Sequence, residues 1–364
     1  YYRAAGNTFD AMETSAQLFL GSRIQCAKCH NHPFERWTQD NYYGLAAFFN
    51  RVERKKTGKG EELIVYSRSD GEVSHPATGE TMKPWAPKAG EMEVDNSHDR
   101  RDAFTVWLTG EKNPFFAEVE ANRIWAHLLG RGIVEPFDDF RDTNPPTNPP
   151  LLAALTRDFR QSGYDRRHLM RVILNSNTYQ AASEATDLNR EDRTYFSHYQ
   201  PRMLTAEQLV DALGAVTGRP MKFEGVPPEV KATELPAPDL KPHNRGRIGD
   251  VEFMKVFGQP ERQTICECER GDDSSLGQAL QMYNGKLVHD MITAGDGHLQ
   301  RWIREGISEE EIVRKLYVSA LCRPPGDKEL ALHLQYIREA ENTAAALEDT
   351  LWIVLNKSEF LFQH

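Results

Sequence analysis

Apolar residues recur at helical spacing along most of this 364-residue chain. The first clear pattern covers residues 10–20, where apolar side chains return every three or four positions and Gly21 follows as an end signal. Similar patterns predict helices at residues 38–49, from 99, at 114–130, 151–161, 166–174 and 205–218, and four or five more from 275 onward. The hydrophobic pattern therefore predicts a mainly α, multi-helical fold.

Two stretches predict strands rather than helices. Near residues 61–90, the strand-like sequence LIVY, a turn signal at Asp70-Gly71 and several prolines predict a small β-hairpin excursion. Residues 264–269 alternate in character and predict a short strand, on which Cys266 and Cys268 point the same way.

Composition excludes two classes of protein. The formal net charge is −10, which argues against a nucleic-acid binder because neutralising phosphates requires a surplus of Lys and Arg. No run approaches the ~18 apolar residues needed to cross a bilayer, so we expect no membrane span. The basic cluster at residues 51–56 is short and is predicted to be a solvated loop after a helix.

The segment Cys26-Ala27-Lys28-Cys29-His30 carries the strongest chemical signal. Two thiols three residues apart with a histidine directly behind them form the attachment signature of c-type haem. The spacing predicts Cys26 and Cys29 as thioether anchors and His30 as an axial ligand of the haem iron. Five aromatic residues after the motif offer apolar surface to a haem face or to the core, namely Trp37, Tyr42, Tyr43, Phe48 and Phe49.

Zinc is the alternative cofactor. Two cysteines at this spacing are also half of a zinc knuckle. Cys266 and Cys268 would complete a tetrahedral four-cysteine site that links two domains. His32 is a further candidate ligand of such a non-haem metal site. The chain has five cysteines, a low and odd number that argues against a dense disulfide framework. In a third interpretation, the motif cysteines are thiols or disulfides without a cofactor.

Two long segments resemble a known family pair. QCAKCHNHPFERWTQDNYYGLAAFF, at residues 25–49, resembles the end of the extracytoplasmic planctomycete cytochrome c-like domain, type two. NPFFAEVEANRIWAHLLGRGIVEPFDDFRDTNPPTNPPLL, at residues 113–152, resembles the opening of its usual partner, a planctomycete-specific domain of unknown function. The similarity continues to LNKSEFLF at residues 355–362.

The resemblance implies a domain organisation and a location. Residues 1–95 would be the C-terminal part of the cytochrome c-like domain, with the motif and the β excursion, and residues 96–364 the helical partner domain. The location would be periplasmic, secreted or at the cell surface. The resemblance also implies that a helical segment normally precedes the motif, so the second axial ligand is open; candidates within the chain are His75, His98, His127, Met12 and Met254.

The expected function is an extracytoplasmic c-type haem protein for electron transfer or redox sensing, whose partner is another redox protein or a cell-surface assembly. The competing class is a structural or interaction protein with the zinc site described above. No G-x-S-x-G, P-loop or H-E-x-x-H pattern occurs, so an enzymatic activity is left open and would belong to a region before the motif. The sequence does not determine the oligomeric state.

Overall fold

The computed structural model describes residues 1–2, 5–57, 62–95, 97–111, 113–236, 240, 242, 249–259 and 275–363. These residues form two compact units, one reaching to Gln200 and the other starting at Pro201. Helices dominate both units, which confirms the predicted mainly α fold. The domain boundary predicted between residues 95 and 96 stays a prediction.

Local signals fix the helices of the first unit. They are α1 (Thr8–Leu20), α2 (Gln39–Ala46), α3 (Arg100–Leu108), α4 (Phe115–Leu129), α5 (Pro149–Gln161) and α6 (Arg166–Leu174), with a 3₁₀ turn, η1 (Gln25–Lys28), between α1 and α2. Gly21 ends α1 at φ +59° and Gly130 ends α4 at φ +80°, a region that glycine enters without Cβ strain. Thr38 caps α2, at the start of the helix predicted for residues 38–49.

The β excursion consists of three small antiparallel pairs. They are β1 (Val52–Lys56) with β2 (Leu63–Ser67), β3 (Val73–Ser74) with β4 (Thr81–Met82), and β5 (Trp85–Ala86) with β6 (Gly90–Glu91). The prediction of a solvated loop at residues 51–56 is wrong, because their main chain pairs with β2. The Asp70-Gly71 turn is also not a hairpin turn, since it separates β2 from β3, which belong to different pairs.

Two hydrophobic clusters form the core of the first unit. One packs α1, η1 and α2 around Met12, Tyr42 and Phe48, and the other joins α4, α5 and α6. The loop after α4 reaches the end of α1, where the Phe140 N–H donates to the Gly21 carbonyl at 2.7 Å. The loop after α4 is therefore bonded to the start of the segment that leads from α1 into η1.

The second unit is a helical bundle with one short strand pair. Its elements are β7 (Arg202–Met203), α7 (Ala206–Thr217), a 3₁₀ turn η2 (Ala232–Glu234), α8 (Gly249–Val256), α9 (Leu276–Asn284), α10 (Lys286–Ile292), α11 (His298–Arg304), α12 (Glu309–Leu321), α13 (Asp327–Glu339), α14 (Thr343–Leu355), α15 (Ser358–Leu361) and β8 (Phe362–Gln363), which pairs with β7.

Residues 275–363 contain seven helices rather than the four or five predicted. Gly285 separates α9 from α10. The sequence pattern predicts longer helices here, and the structure divides them. The predicted strand at 264–269, with Cys266 and Cys268, lies outside the described residues. Within the described part of the chain, no helix has the length and apolar character needed to cross a membrane.

Candidate functional site

The motif lies on the surface of the first unit, in the short connection between α1 and α2. Cys26 belongs to η1 and Cys29 follows it, and both thiols are free and exposed. Ala27, between them, is fully buried in the core, as is Ile24 before them. The turn is thus fixed by two small or medium apolar residues, and this anchoring directs the neighbouring thiols to solvent.

The ring of His30 is held in a defined tautomer. Its Nδ1 lies 2.7 Å from the carbonyl oxygen of Asn31. A carbonyl only accepts, so in the neutral ring Nδ1 carries the proton and Nε2 keeps its lone pair. The ring is exposed. Histidines that bind metals commonly donate their second N–H to a backbone carbonyl in this way, so Nε2 is the nitrogen through which His30 could hold a metal.

His32, two residues later, has the opposite arrangement. The N–H groups of Phe34 and Glu35 lie 3.3 and 3.0 Å from His32 Nδ1 and donate to it. Nδ1 therefore holds no proton, and in the neutral ring the proton lies on Nε2. In this arrangement neither nitrogen offers a lone pair to a metal. As an alternative metal ligand, His32 would first have to release both N–H groups.

Residues of helix α2 hold the motif through three hydrogen bonds. The backbone N–H of Gln39 donates to Asn31 Oδ1 at 2.9 Å, and the Gln39 side-chain amide donates to the Lys28 carbonyl at 3.0 Å. The Tyr43 hydroxyl donates to the same carbonyl at 3.1 Å. The hydrophobic pattern and the motif spacing do not predict these supports. Their only sequence signal is the Thr38 cap, which predicts that the first turn of α2 lies near the motif.

Burial near the motif keeps Tyr43 in its neutral form. Burial raises the pKa of the Tyr43 phenol, and negative charge on Cys29 raises this pKa further. A neutral phenol retains the proton that it donates to Lys28. Tyr43 can therefore hold the motif backbone across the physiological pH range.

Aromatic residues around the motif are core residues rather than an open haem face. Trp37, Tyr42, Tyr43, Phe48 and Phe49 are all buried. Phe34 instead is 79% exposed, in the loop that His32 closes. The Arg36 guanidinium lies 5.4 Å from the centroid of the Trp37 ring, which is within range of a cation–π contact. Of the aromatic side chains in this loop, Phe34 is the one available to an external group.

The candidates for a second axial ligand are scattered. His75 is buried, and its Nδ1 accepts from the N–H groups of Ala77 and Thr78 while its Nε2 lies 3.4 Å from Asp40. The other candidates are a fully buried Met12, His98 paired with Asp95, an exposed His127 near Phe137, and Met254 in the core of the second unit. The second axial ligand therefore stays a prediction.

The zinc alternative depends on residues that have no described position. Cys266 and Cys268 lie in the undescribed range 260–274. Cys322 is an exposed free thiol at the end of α12. Among the residues that the structure describes, no cluster of three or more His, Cys, Asp or Glu side chains is suited to hold a metal ion.

Two family models match the chain. The PSD1 model, a protein of unknown function (DUF1553), matches residues 100–337, roughly two thirds of the sequence. The PSCyt2 model, a protein of unknown function (DUF1549), matches residues 3–54, which include the motif. Both are planctomycete-type domains. No curated protein and no solved structure matches the chain.

Proposed function

The chain belongs to the PSD1 family, whose members have no assigned function, and from that premise we propose that it is a c-type haem protein for electron transfer or redox sensing. One haem is attached at Cys26 and Cys29, and His30 binds the iron through Nε2. A bound haem supplies a centre that accepts and releases one electron. The observation that carries the proposal is the 2.7 Å contact between His30 Nδ1 and the Asn31 carbonyl, which in the neutral form of this exposed ring leaves the lone pair on Nε2.

The exposure of the three motif side chains supports attachment. Thioether formation needs both sulfurs accessible to the vinyl groups, and Cys26 and Cys29 are both free and exposed. The buried Ala27 keeps the turn between them fixed in the core. This chain's own residues therefore present two nucleophilic sulfurs and one nitrogen ligand from one anchored turn.

The assignment of residues 1–95 to a cytochrome c-like domain and the cellular location belong to the same proposal. The PSCyt2 match covers the motif, and the chain resembles the cytochrome c-like domain over residues 25–49. Attachment of c-type haem takes place outside the bacterial cytoplasm, so the proposed location is periplasmic or at the cell surface. The proposed partner is another redox protein or a cell-surface assembly.

Expression together with a c-type haem maturation system tests the proposal. We expect a coloured protein with a Soret band that keeps its haem after acid–acetone extraction and whose intact mass is raised by one haem. Cys26→Ala and Cys29→Ala should each remove one thioether, which moves the α-band of the pyridine haemochrome to longer wavelength. Cys322→Ala, on the second unit, is the matched control and should change nothing.

A colourless product of unmodified mass under these conditions would overturn the proposal. Stoichiometric zinc in that colourless product, lost on replacing Cys266 or Cys268, would instead favour the zinc alternative.

A further inference from the structure

Asn31 makes two hydrogen bonds that connect helix α2 to the ring of His30. Its carbonyl oxygen accepts from His30 Nδ1 at 2.7 Å, and its side-chain Oδ1 accepts from the backbone N–H of Gln39 at 2.9 Å. The first contact sets the proton position on the imidazole. The second fixes the residue that provides this carbonyl.

The donor at Gln39 is a group that a helix leaves without an internal partner. Gln39 is the first residue of α2, and the first N–H groups of a helix have no intrahelical acceptor. Thr38, the residue before it, caps the helix through its own side chain, which accepts from the Asn41 N–H at 3.2 Å. Asn31 thus acts as a second cap that comes from eight residues earlier in the chain.

From these contacts we infer that Asn31 is a positioning residue for His30, which acts by fixing the imidazole tautomer from the N-terminus of α2. The role rests on the proposed function, because an oriented Nε2 lone pair serves coordination of iron. Gln39 supplies the anchor through its backbone, and its side chain separately holds the Lys28 carbonyl at 3.0 Å. The two residues therefore fix the backbone on both sides of Cys29 and His30.

The physical consequence is a more basic ligand. A hydrogen bond from Nδ1 to a carbonyl moves electron density toward Nε2 and holds the ring in one orientation. Without the anchor, the Asn31 peptide is free to rotate and the exposed imidazole exchanges its proton between both nitrogens. A less basic, less oriented ligand stabilises the oxidised iron less, so the reduction potential should rise.

The chain without haem provides the first test, since ring tautomers can be read from ¹⁵N chemical shifts of histidine. In the wild type at a pH where His30 is neutral, we expect Nδ1 to be protonated. Asn31→Ala should lose this preference, whereas Asn31→Asp, which keeps an acceptor oxygen at the helix N-terminus, should retain it.

Gln39 offers a matched pair that separates backbone from side chain. Gln39→Pro removes the N–H, and proline is well tolerated at the first position of a helix, here after the extended Thr38. Gln39→Ala removes the side-chain amide and keeps the N–H. We expect the proline variant to behave like Asn31→Ala and the alanine variant to keep the wild-type tautomer. A wild-type tautomer in both Asn31→Ala and Gln39→Pro would overturn the inference.

The haem-loaded protein provides the second test. Asn31→Ala and Gln39→Pro should raise the reduction potential and release His30 from iron at a less acidic pH than the wild type, while Asn31→Asp stays close to it. A potential unchanged in both variants would contradict the inference. If the wild type takes up no haem, the proposed function fails, and the tautomer in the haem-free chain still decides whether Asn31 positions His30.

Discussion

His30 and His32 lie two residues apart in one surface loop and use Nδ1 in opposite ways. His30 Nδ1 donates to a carbonyl, whereas His32 Nδ1 accepts from two N–H groups. Both residues are histidines and their positions in the sequence are close, so the different hydrogen bonds of the two rings come from the local backbone. The backbone decides which ring donates through Nδ1 and which ring accepts through it.

A second turn in the same unit shows the origin of the His32 arrangement. His75-Pro76-Ala77-Thr78 repeats the His-Pro pattern of residues 32–35, and Nδ1 of His75 likewise accepts from the N–H groups two and three residues later. The fixed φ of proline favours this tight turn and brings both N–H groups to the ring. His30 is followed by Asn31 instead, and its ring does not close such a turn.

The largest expected effect separates His30 from His32 directly. His30→Ala should abolish the axial coordination of haem, with loss of the normal Soret and α-bands. His32→Asn should leave the haem spectrum intact, because the asparagine oxygen can accept the N–H groups that His32 accepts. Absorption spectra of the two variants after co-expression with the haem maturation system provide the measurement.

Equal loss of the spectrum in both variants would show that the two histidines are not distinct in role. The ratio of protein to haem, obtained from the pyridine haemochrome, should be taken alongside, so that poor attachment is not mistaken for a change in coordination.

The next effect compares the two His-Pro turns through their stability. His75 is 7% exposed, lies against Tyr43 at 5.7 Å between ring centroids, and faces Asp40. His75→Ala leaves two N–H groups without an acceptor and opens a space in the core, so we expect a loss of about 2–3 kcal/mol in the free energy of unfolding. In the more accessible turn, water replaces the His32 ring, and His32→Ala should cost about 0.5–1.5 kcal/mol.

Urea denaturation of both variants measures this difference. Asparagine at either position keeps an acceptor and should recover part of the loss. If His32→Ala destabilised the protein as much as His75→Ala, burial would not explain the difference between the turns.

The helices of the first unit follow from local sequence signals, and the β pairs do not. Gly21, Thr38 and Gly130 act within a few residues of the helix ends that they fix, so the pattern of the sequence is sufficient. β1 has mostly charged side chains, and its main chain pairs with β2 across an intervening segment. A basic, solvent-facing edge resembles a loop until its partner strand is known.

The motif was predictable as residue types but not as geometry. Cys26, Cys29 and His30 follow from spacing alone. Which nitrogen of His30 is free depends on a carbonyl that is held from α2, and the link from Asn31 to Gln39 spans eight residues with no periodic signal. The aromatic residues after the motif also fit both a haem face and a core, and the side to which each points is decided by packing with α1 and the β pairs.

The smallest expected effect extends the comparison to a histidine of the second unit. His333 is buried with Nε2 3.0 Å from the Tyr317 hydroxyl, and burial lowers its pKa, with Lys357 adding to this and Glu329 opposing it. Because the folded pKa lies below the ordinary value of 6.5, the unfolded chain binds more protons between the two values. The contribution of His333 to stability is therefore full above that ordinary value and falls as the pH drops toward the folded pKa.

Calorimetric melting between about pH 7.5 and 5.5 measures this effect. The fall in Tm over this range should be smaller for His333→Gln, which does not titrate, than for the wild type. An identical pH dependence of Tm in the two proteins would contradict the assignment.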